Sequence, residues 1–131
     1  GAIRAAEVAG ADLADIGTLF IAARESLAGD DYRQMVVDAA VDDLVLTKAF
    51  TGASAYYLRQ SILRSGLDPD NLSGKTAMDW SKSDTQLKAW KDIWSAGQSV
   101  VAVQRVEGAE EIIARLRAEY LQSLAVPSFG P

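Results

Sequence analysis

Apolar residues recur along this chain at helical spacing, and the last such run is the clearest. Ala109, Ile112, Ile113, Leu116, Tyr120 and Leu124 form a stripe, and steps of three and four place such residues on one face of an α-helix. Glu111 and Arg115 stand four apart on that helix, spaced for a surface ion pair. Tyr32, Met35, Val36, Ala39 and Ala40 fall at i, i+3, i+4, i+7 and i+8, which predicts a second amphipathic helix capped by Gly29 or Asp30. A third is expected from Ser54 to Ser65, with Leu58 and Ile62 inward and Gly66 as the stop. Ala-rich Ile3 to Ala9 predicts a fourth, ended by Gly10. Ser83 with Gln86 makes a capping-box pattern, after which Leu87, Trp90 and Trp94 share the face of a fifth.

Two short apolar runs lack this spacing. Leu13-Ala14-Asp15-Ile16 reads as a buried parallel strand with one polar member, Asp15, and Leu44-Val45-Leu46-Thr47 as a second strand ending at Phe50-Thr51-Gly52. Asp68-Pro69-Asp70-Asn71 and Ser73-Gly74 mark turns, and the tail from Val126 to Pro131 reads as loose. Five helices and two strands, with no repeat and no linker, predict a mostly α-helical piece of an α/β fold. Two strands cannot form an independent parallel sheet with both faces covered. The remaining strands are therefore expected from outside these 131 residues.

Composition changes this picture mainly by what it removes. At 49% hydrophobic the chain can bury a core. A net charge of −5 argues against nucleic acid, which needs a basic footprint, and against an anionic membrane surface. No apolar run approaches the roughly 20 residues of a spanning helix. The absence of cysteine fits the cytoplasm, the expected compartment. With no histidine either, the chain has no ordinary neutral-pH base, no thiol nucleophile and no soft metal ligand. The start, Gly1-Ala2-Ile3-Arg4, has neither an initiator Met nor a signal-peptide layout, as expected for a part of something longer.

Candidate chemistry sits in two places. Gly17-Thr18, after the first strand, offers an anion unhindered backbone N–H groups and a hydroxyl donor; the same pair also suits a tight turn before Leu19-Phe20-Ile21. Ser95-Ala96-Gly97-Gln98, next to Trp94, combines small residues that let a backbone approach a flat ring with an amide that can bond heteroatoms. A close helix crossing would use the same small residues. Trp80, Trp90 and Trp94 could stack on a cofactor, but the spacing of Trp90 and Trp94 with Leu87 suits core packing better. Asp68 to Asp79 has the length of a calcium loop without its Gly at position six or its Glu at position twelve, which leaves a plain turn. Asp30, Asp31, Asp38, Asp42 and Asp43 read as solvated faces and caps.

Taken in order, these motifs resemble the nitronate monooxygenases, formerly 2-nitropropane dioxygenases. Gly10-Ala11-Asp12-Leu13-Ala14-Asp15-Ile16-Gly17-Thr18-Leu19-Phe20-Ile21-Ala22, then Glu25-Ser26, is similar to their last-strand motif, roughly Gly-Ala-Asp, an apolar stretch, then Met-Gly-Thr-Arg-Phe. Phe50-Thr51-Gly52, Leu67-Asp68-Pro69-Asp70-Asn71-Leu72 and Ile93-Trp94-Ser95-Ala96-Gly97-Gln98 follow in the family's order. The chain departs from the family at Leu19, where Arg is usual, and at Asp15, where a neutral residue is usual.

The resemblance implies a TIM (β/α)8 barrel that uses flavin mononucleotide (FMN) to oxidise alkyl nitronates with O2. Residues 1–23 would be the last crossover helix and last barrel strand, and residues 24–131 a C-terminal helical region packing over the flavin side. Asp15, Ile16, Gly17 and Thr18 would hold the flavin phosphate, mainly through backbone N–H groups, and Ser95, Ala96, Gly97 and Gln98 would line the flavin. The family's catalytic histidine and Gly-Gly phosphate turn fall outside this chain. No catalytic residue is therefore assigned, and the 131 residues alone are expected to be inactive. The implied partners are a nitronate substrate and O2, with a homo-oligomer as the expected assembly. A flavin-dependent enoyl-acyl carrier protein reductase shares the barrel and a similar Ala-Gly-Gln motif, while Phe50-Thr51-Gly52 and Asp68-Pro69-Asp70-Asn71 favour the nitronate branch. From a different class, residues 25–125 could form a non-enzymatic helical binding module that buries amphipathic faces against a partner.

Overall fold

The computed structural model describes residues 1–72 and 92–125. The elements are α1 (Ala2–Val8), α2 (Thr18–Ile21), α3 (Asp30–Asp38), β1 (Leu44–Thr47), β2 (Ala55–Leu58), α4 (Arg59–Arg64) and α5 (Ala109–Leu124). Short 3₁₀ turns lie at Val41–Asp43 and Gln98–Ala102. The expected capping box at Ser83 and Gln86, the helix through Leu87 and Trp90, Trp80, the Ser73-Gly74 turn and the tail after Ala125 lie outside the described residues.

β1 forms where its apolar run predicts, but its neighbour was expected to be helix. Ala55–Leu58 pairs antiparallel with β1, placing Leu44 opposite Leu58 and Thr47 opposite Ala55. Tyr56 and Tyr57 suit a pleated, half-buried surface, and a ladder partner is close in sequence, so local helical spacing loses to cross-strand pairing. The helix starts only at Arg59 and stops at Gly66, which has a φ of +75°. Leu58 and Ile62 both point inward as expected, the first from a strand and the second from a helix.

The other predicted strand is absent. Residues 13–16 form neither helix nor strand, and Leu13 is 90% exposed. A buried parallel strand needs a hydrogen-bonded neighbour on each side, and no described strand pairs with this segment. Gly10 does end α1, with a φ of +95°.

The main core gathers around α2. Leu19, Ala22 and Ala23 pack with Met35 and Val36 of α3, Leu58 of β2, Val100 and Val103 near the second 3₁₀ turn, and Ile112 of α5. Leu19 is thus a core residue, which accounts for an apolar side chain where the resembling family has Arg. A smaller cluster joins Phe50, Tyr57, Ile62 and Ile93. The buried stripe of α5 is narrower than the sequence predicts: Ile112 is buried, while Ile113 and Leu124 are exposed. On α3 the stripe holds at Met35 and Val36, but the helix ends at Asp38 and Ala40 is exposed.

The expected Glu111–Arg115 pair does not form. Glu111 instead turns toward the start of α5, where its carboxylate accepts the Gly108 N–H at 2.6 Å and pairs with Arg24 at 2.6 Å. The first N–H groups of a helix lack intrahelical acceptors, and a carboxylate at the third position satisfies one while opposing the positive helix end. Glu25 takes the next donor, the Ala109 N–H, at 2.8 Å. Arg115 pairs with Glu107 at 2.9 Å and Glu119 at 3.5 Å.

The backbone N–H of Ala109 holds the Glu25 carboxyl below its ordinary range, and that of Gly108, with Arg24, does the same for Glu111. A depressed carboxylate contributes stability above its unfolded value of about 4.3 and loses it as pH falls through the folded value. Denaturant midpoints measured at pH 7 and pH 3.5 should therefore fall toward acid. The fall should shrink in Glu111→Gln and Glu25→Gln, because an amide does not titrate.

Candidate functional site

Two stretches 79 positions apart meet at the end of α2. Gly17 is the residue before the helix and Thr18 its first residue. The buried Thr18 Oγ1 accepts the Gly97 N–H at 2.8 Å. Gly97 precedes the 3₁₀ turn Gln98–Ala102 and has an ordinary extended backbone, φ −88° and ψ 173°. Its lack of a side chain serves proximity, since a Cβ there would stand 3.2 Å from Thr18 Oγ1.

The Trp94–Gln98 segment is held from its other flank by the hairpin. Leu58 donates its N–H to the Trp94 carbonyl at 2.8 Å, and Tyr57 bridges Ser95 in antiparallel fashion. Ser61, fully buried in α4, donates to the Leu58 carbonyl at 2.8 Å and accepts the Trp94 N–H at 3.0 Å. The Tyr32 hydroxyl donates to the Ser95 carbonyl in a short hydrogen bond, and Gln98 Nε2 donates to the Tyr56 hydroxyl at 3.2 Å. Burial raises the Tyr32 phenol above its ordinary value, which keeps it protonated and donating.

Trp94 is half-buried and engaged within the fold. Tyr32 stacks on it with ring centroids 4.9 Å apart and planes 17° apart. The Arg64 guanidinium stands 5.1 Å from the Trp94 ring centroid and also pairs with Asp31 at 2.8 Å. Such a stack serves packing, but Trp94 lies outside any helix and so does not share a helical face with Leu87 and Trp90, which are outside the described residues.

The eight candidate residues divide by exposure. Asp15, Gly17, Ser95 and Gln98 are exposed, Ile16 and Gly97 are half-buried, and Thr18 and Ala96 are buried. Gly17 has open space about it: a Cβ placed there would meet nothing within 4 Å. The Phe20 and Ile21 N–H groups bond the Gly17 carbonyl at 3.0 and 3.3 Å, and those of Thr18 and Leu19 have no intrahelical acceptor. A four-residue helix adds little dipole, so the donors would be the N–H groups themselves. The Thr18 and Leu19 N–H groups are the helix-start donors that this stretch would offer a phosphate. The Thr18 hydroxyl, turned inward to Gly97, is not the outward donor that its residue type suggested.

A cleft of about 460 Å³ between α1, residues 13–16 and α5 includes Asp15 and Ile16 but neither Gly17 nor any of residues 95–98. A smaller cavity of about 280 Å³, lined in part by Met35, Leu58, Arg59 and Leu63, includes none of the eight. Asp68 to Asn71 forms the expected turn: Asp68 accepts the Asp70 and Asn71 N–H groups, and Arg59 grips both oxygens of Asp70 at 2.9 and 3.0 Å. Among the described residues no group of three or more acidic side chains could hold a metal, and no helix is long and apolar enough to cross a membrane.

Reading by spacing named both stretches and missed the side chains that hold them. Ser61 lies three positions after Leu58 and one before Ile62, on the inward face of its own pattern. A hydroxyl on a buried face needs a partner, and that was the available signal. Tyr56 and the Tyr32 hydroxyl carried no comparable signal.

A likeness in fold runs to a solved structure of a FabK mutant from Thermotoga maritima. The TM-score is 0.63 and the identity 21%, over 93% of this chain and 38% of that one. This chain therefore spans 38% of the length of that protein. The neighbour is a TIM barrel, and a small mixed α/β unit with a two-stranded sheet is consistent with part of one. No family model matches the chain, and no curated protein matches it.

Ser61→Ala removes the hydroxyl that accepts from the Trp94 N–H and donates to the Leu58 carbonyl, and should lower stability by about 1–3 kcal/mol. Urea unfolding checks this, and a loss under a few tenths of a kcal/mol would show that Ser61 does not hold the segment.

Proposed function

We propose that the chain is the C-terminal portion of an FMN-dependent TIM-barrel oxidoreductase that oxidises alkyl nitronates with O2. The observation that carries this reading is the meeting of residues 15–18 with residues 95–98 through Thr18 and Gly97. These are the two segments that the family resemblance assigns to one ligand. The fold likeness to the FabK mutant supports the barrel origin.

In this reading residues 1–23 are the last crossover helix and last barrel strand, and residues 24–131 are the helical region over the flavin side. Exposed Leu13 and the unpaired backbone around it are then the surface that neighbouring barrel strands cover. Bound flavin would supply the redox chemistry. The chain's own residues would bind and orient it. Backbone N–H groups of the Asp15–Thr18 stretch would hold the phosphate, and Asp15 itself is exposed. Ser95, buried Ala96 and Gly97 would line the ring. Gln98 presents an amide whose orientation is set by Tyr56. No histidine or cysteine is present to move a substrate proton, so the base comes from the rest of the barrel and the chain alone is inactive. The nitronate and O2 are the partners, a homo-oligomer the assembly and the cytoplasm the compartment.

A second reading, a flavin-dependent enoyl-acyl carrier protein reductase, is favoured by the FabK neighbour. One set of assays separates the two. A protein containing this chain and the remaining barrel should be yellow and should consume O2 with propionate-3-nitronate. Turnover of an enoyl thioester with reduced nicotinamide instead would assign the second reading, and a colourless protein that binds no FMN would overturn both. The 131 residues alone should turn over neither substrate, with or without added FMN.

A further inference from the structure

We propose that Thr18 is a positioning residue, whose hydroxyl holds the Ser95–Gln98 segment against the Gly17 turn and is not itself a ligand to the phosphate. The proposal rests on the FMN reading above and assigns Thr18 a different part in it. Thr18 is 7% exposed, and its Oγ1 accepts the Gly97 N–H at 2.8 Å. Gly97 adopts extended backbone that any residue could adopt, yet a Cβ would stand 3.2 Å from that oxygen. The two residues are therefore matched: the glycine permits the approach, and the hydroxyl uses it.

The rest of the segment is anchored elsewhere. Trp94 is held by Leu58 and Ser61, the Ser95 carbonyl by Tyr32, and the Gln98 amide by Tyr56. These contacts all come from the hairpin, α3 and α4. The Thr18 hydrogen bond ties the same segment to α2, at the start of which the functional reading puts the phosphate. Because Thr18 is β-branched and stiff at χ1, its oxygen moves with the start of α2. A shift of either stretch is thereby passed to the other.

The test compares Thr18→Val, which keeps the shape and loses the acceptor, with Thr18→Ser, which keeps the acceptor. Each variant, made in a protein containing this chain and the remaining barrel, is titrated with FMN and with riboflavin, which lacks the phosphate, and amide hydrogen exchange is followed at Gly97. In Thr18→Val the Gly97 amide should exchange about tenfold faster, and both flavins should weaken by the same factor of up to about tenfold, the scale of one neutral hydrogen bond. Thr18→Ser should restore all three readouts. A loss confined to FMN would make Thr18 a phosphate ligand and overturn the proposal, as would unchanged Gly97 exchange. If the unsubstituted protein, this chain with the remaining barrel, binds neither flavin, the functional reading falls, and the Gly97 exchange alone decides for or against the Thr18 tie. Should Thr18→Val fail to fold, Gly97→Ala strains the same contact from the other side and should weaken both flavins in parallel; native-like affinity for both would overturn the proposal.

Discussion

A single buried hydroxyl joins two parts of this structure that are distant in sequence. Ser61 lies in α4 with no exposed surface, donates back to Leu58 at the end of β2, and accepts from Trp94. The strand-to-helix junction and the segment leading to the candidate site therefore share one polar atom. In an apolar setting such a group is costly unless satisfied, so each partner is held where the hydroxyl can reach it. The ladder bonds of Leu58 and Tyr57 to residues 94–95 follow from that placement, and the Tyr32–Trp94 stack closes over it.

A charged girdle performs the equivalent task on the far side of α2. Ala23 bridges Glu107 in parallel, the Arg24 N–H donates to the Glu107 carbonyl at 2.8 Å, and the buried Glu107 carboxylate is matched by Arg105 and Arg115 at 2.9 Å each. A buried carboxylate is tolerable only with such partners. With Glu25 and Glu111 at the start of α5, these contacts fix the chain after α2 against the chain before α5. α2 is thus gripped between the girdle and the site segment, which is why a four-residue helix can hold Thr18 in place.

How far the chain could be read without coordinates depended on how local each feature was. The faces of α3 and α5, the stops at Gly10 and Gly66, the β1 run and the Asp68–Asn71 turn all express interactions within a few residues, so spacing revealed them. Residues 55–58 were misread because Leu58 and Ile62 are both inward whether the stretch is strand or helix, and only pairing with β1 settles which. Residues 13–16 have the composition of a buried strand, but strand formation is a property of the neighbours as well. Glu111 was assigned to Arg115 because spacing offers no view of unsatisfied helix-end N–H groups or of Arg24 nearby.

The sequence by itself singled out two candidate stretches, Asp15 to Thr18 and Ser95 to Gln98, because glycine, small residues and polar side chains at those positions limit what the backbone there can do. Only the tertiary structure decided that the two stretches touch, that Leu19 belongs to the core, and that the Thr18 hydroxyl faces Gly97 and not solvent. The physical reason is directional. A residue type states which hydrogen bonds a group is able to make, whereas the partner it meets is set by the packing of elements that lie, in the case of Thr18 and Gly97, 79 positions apart.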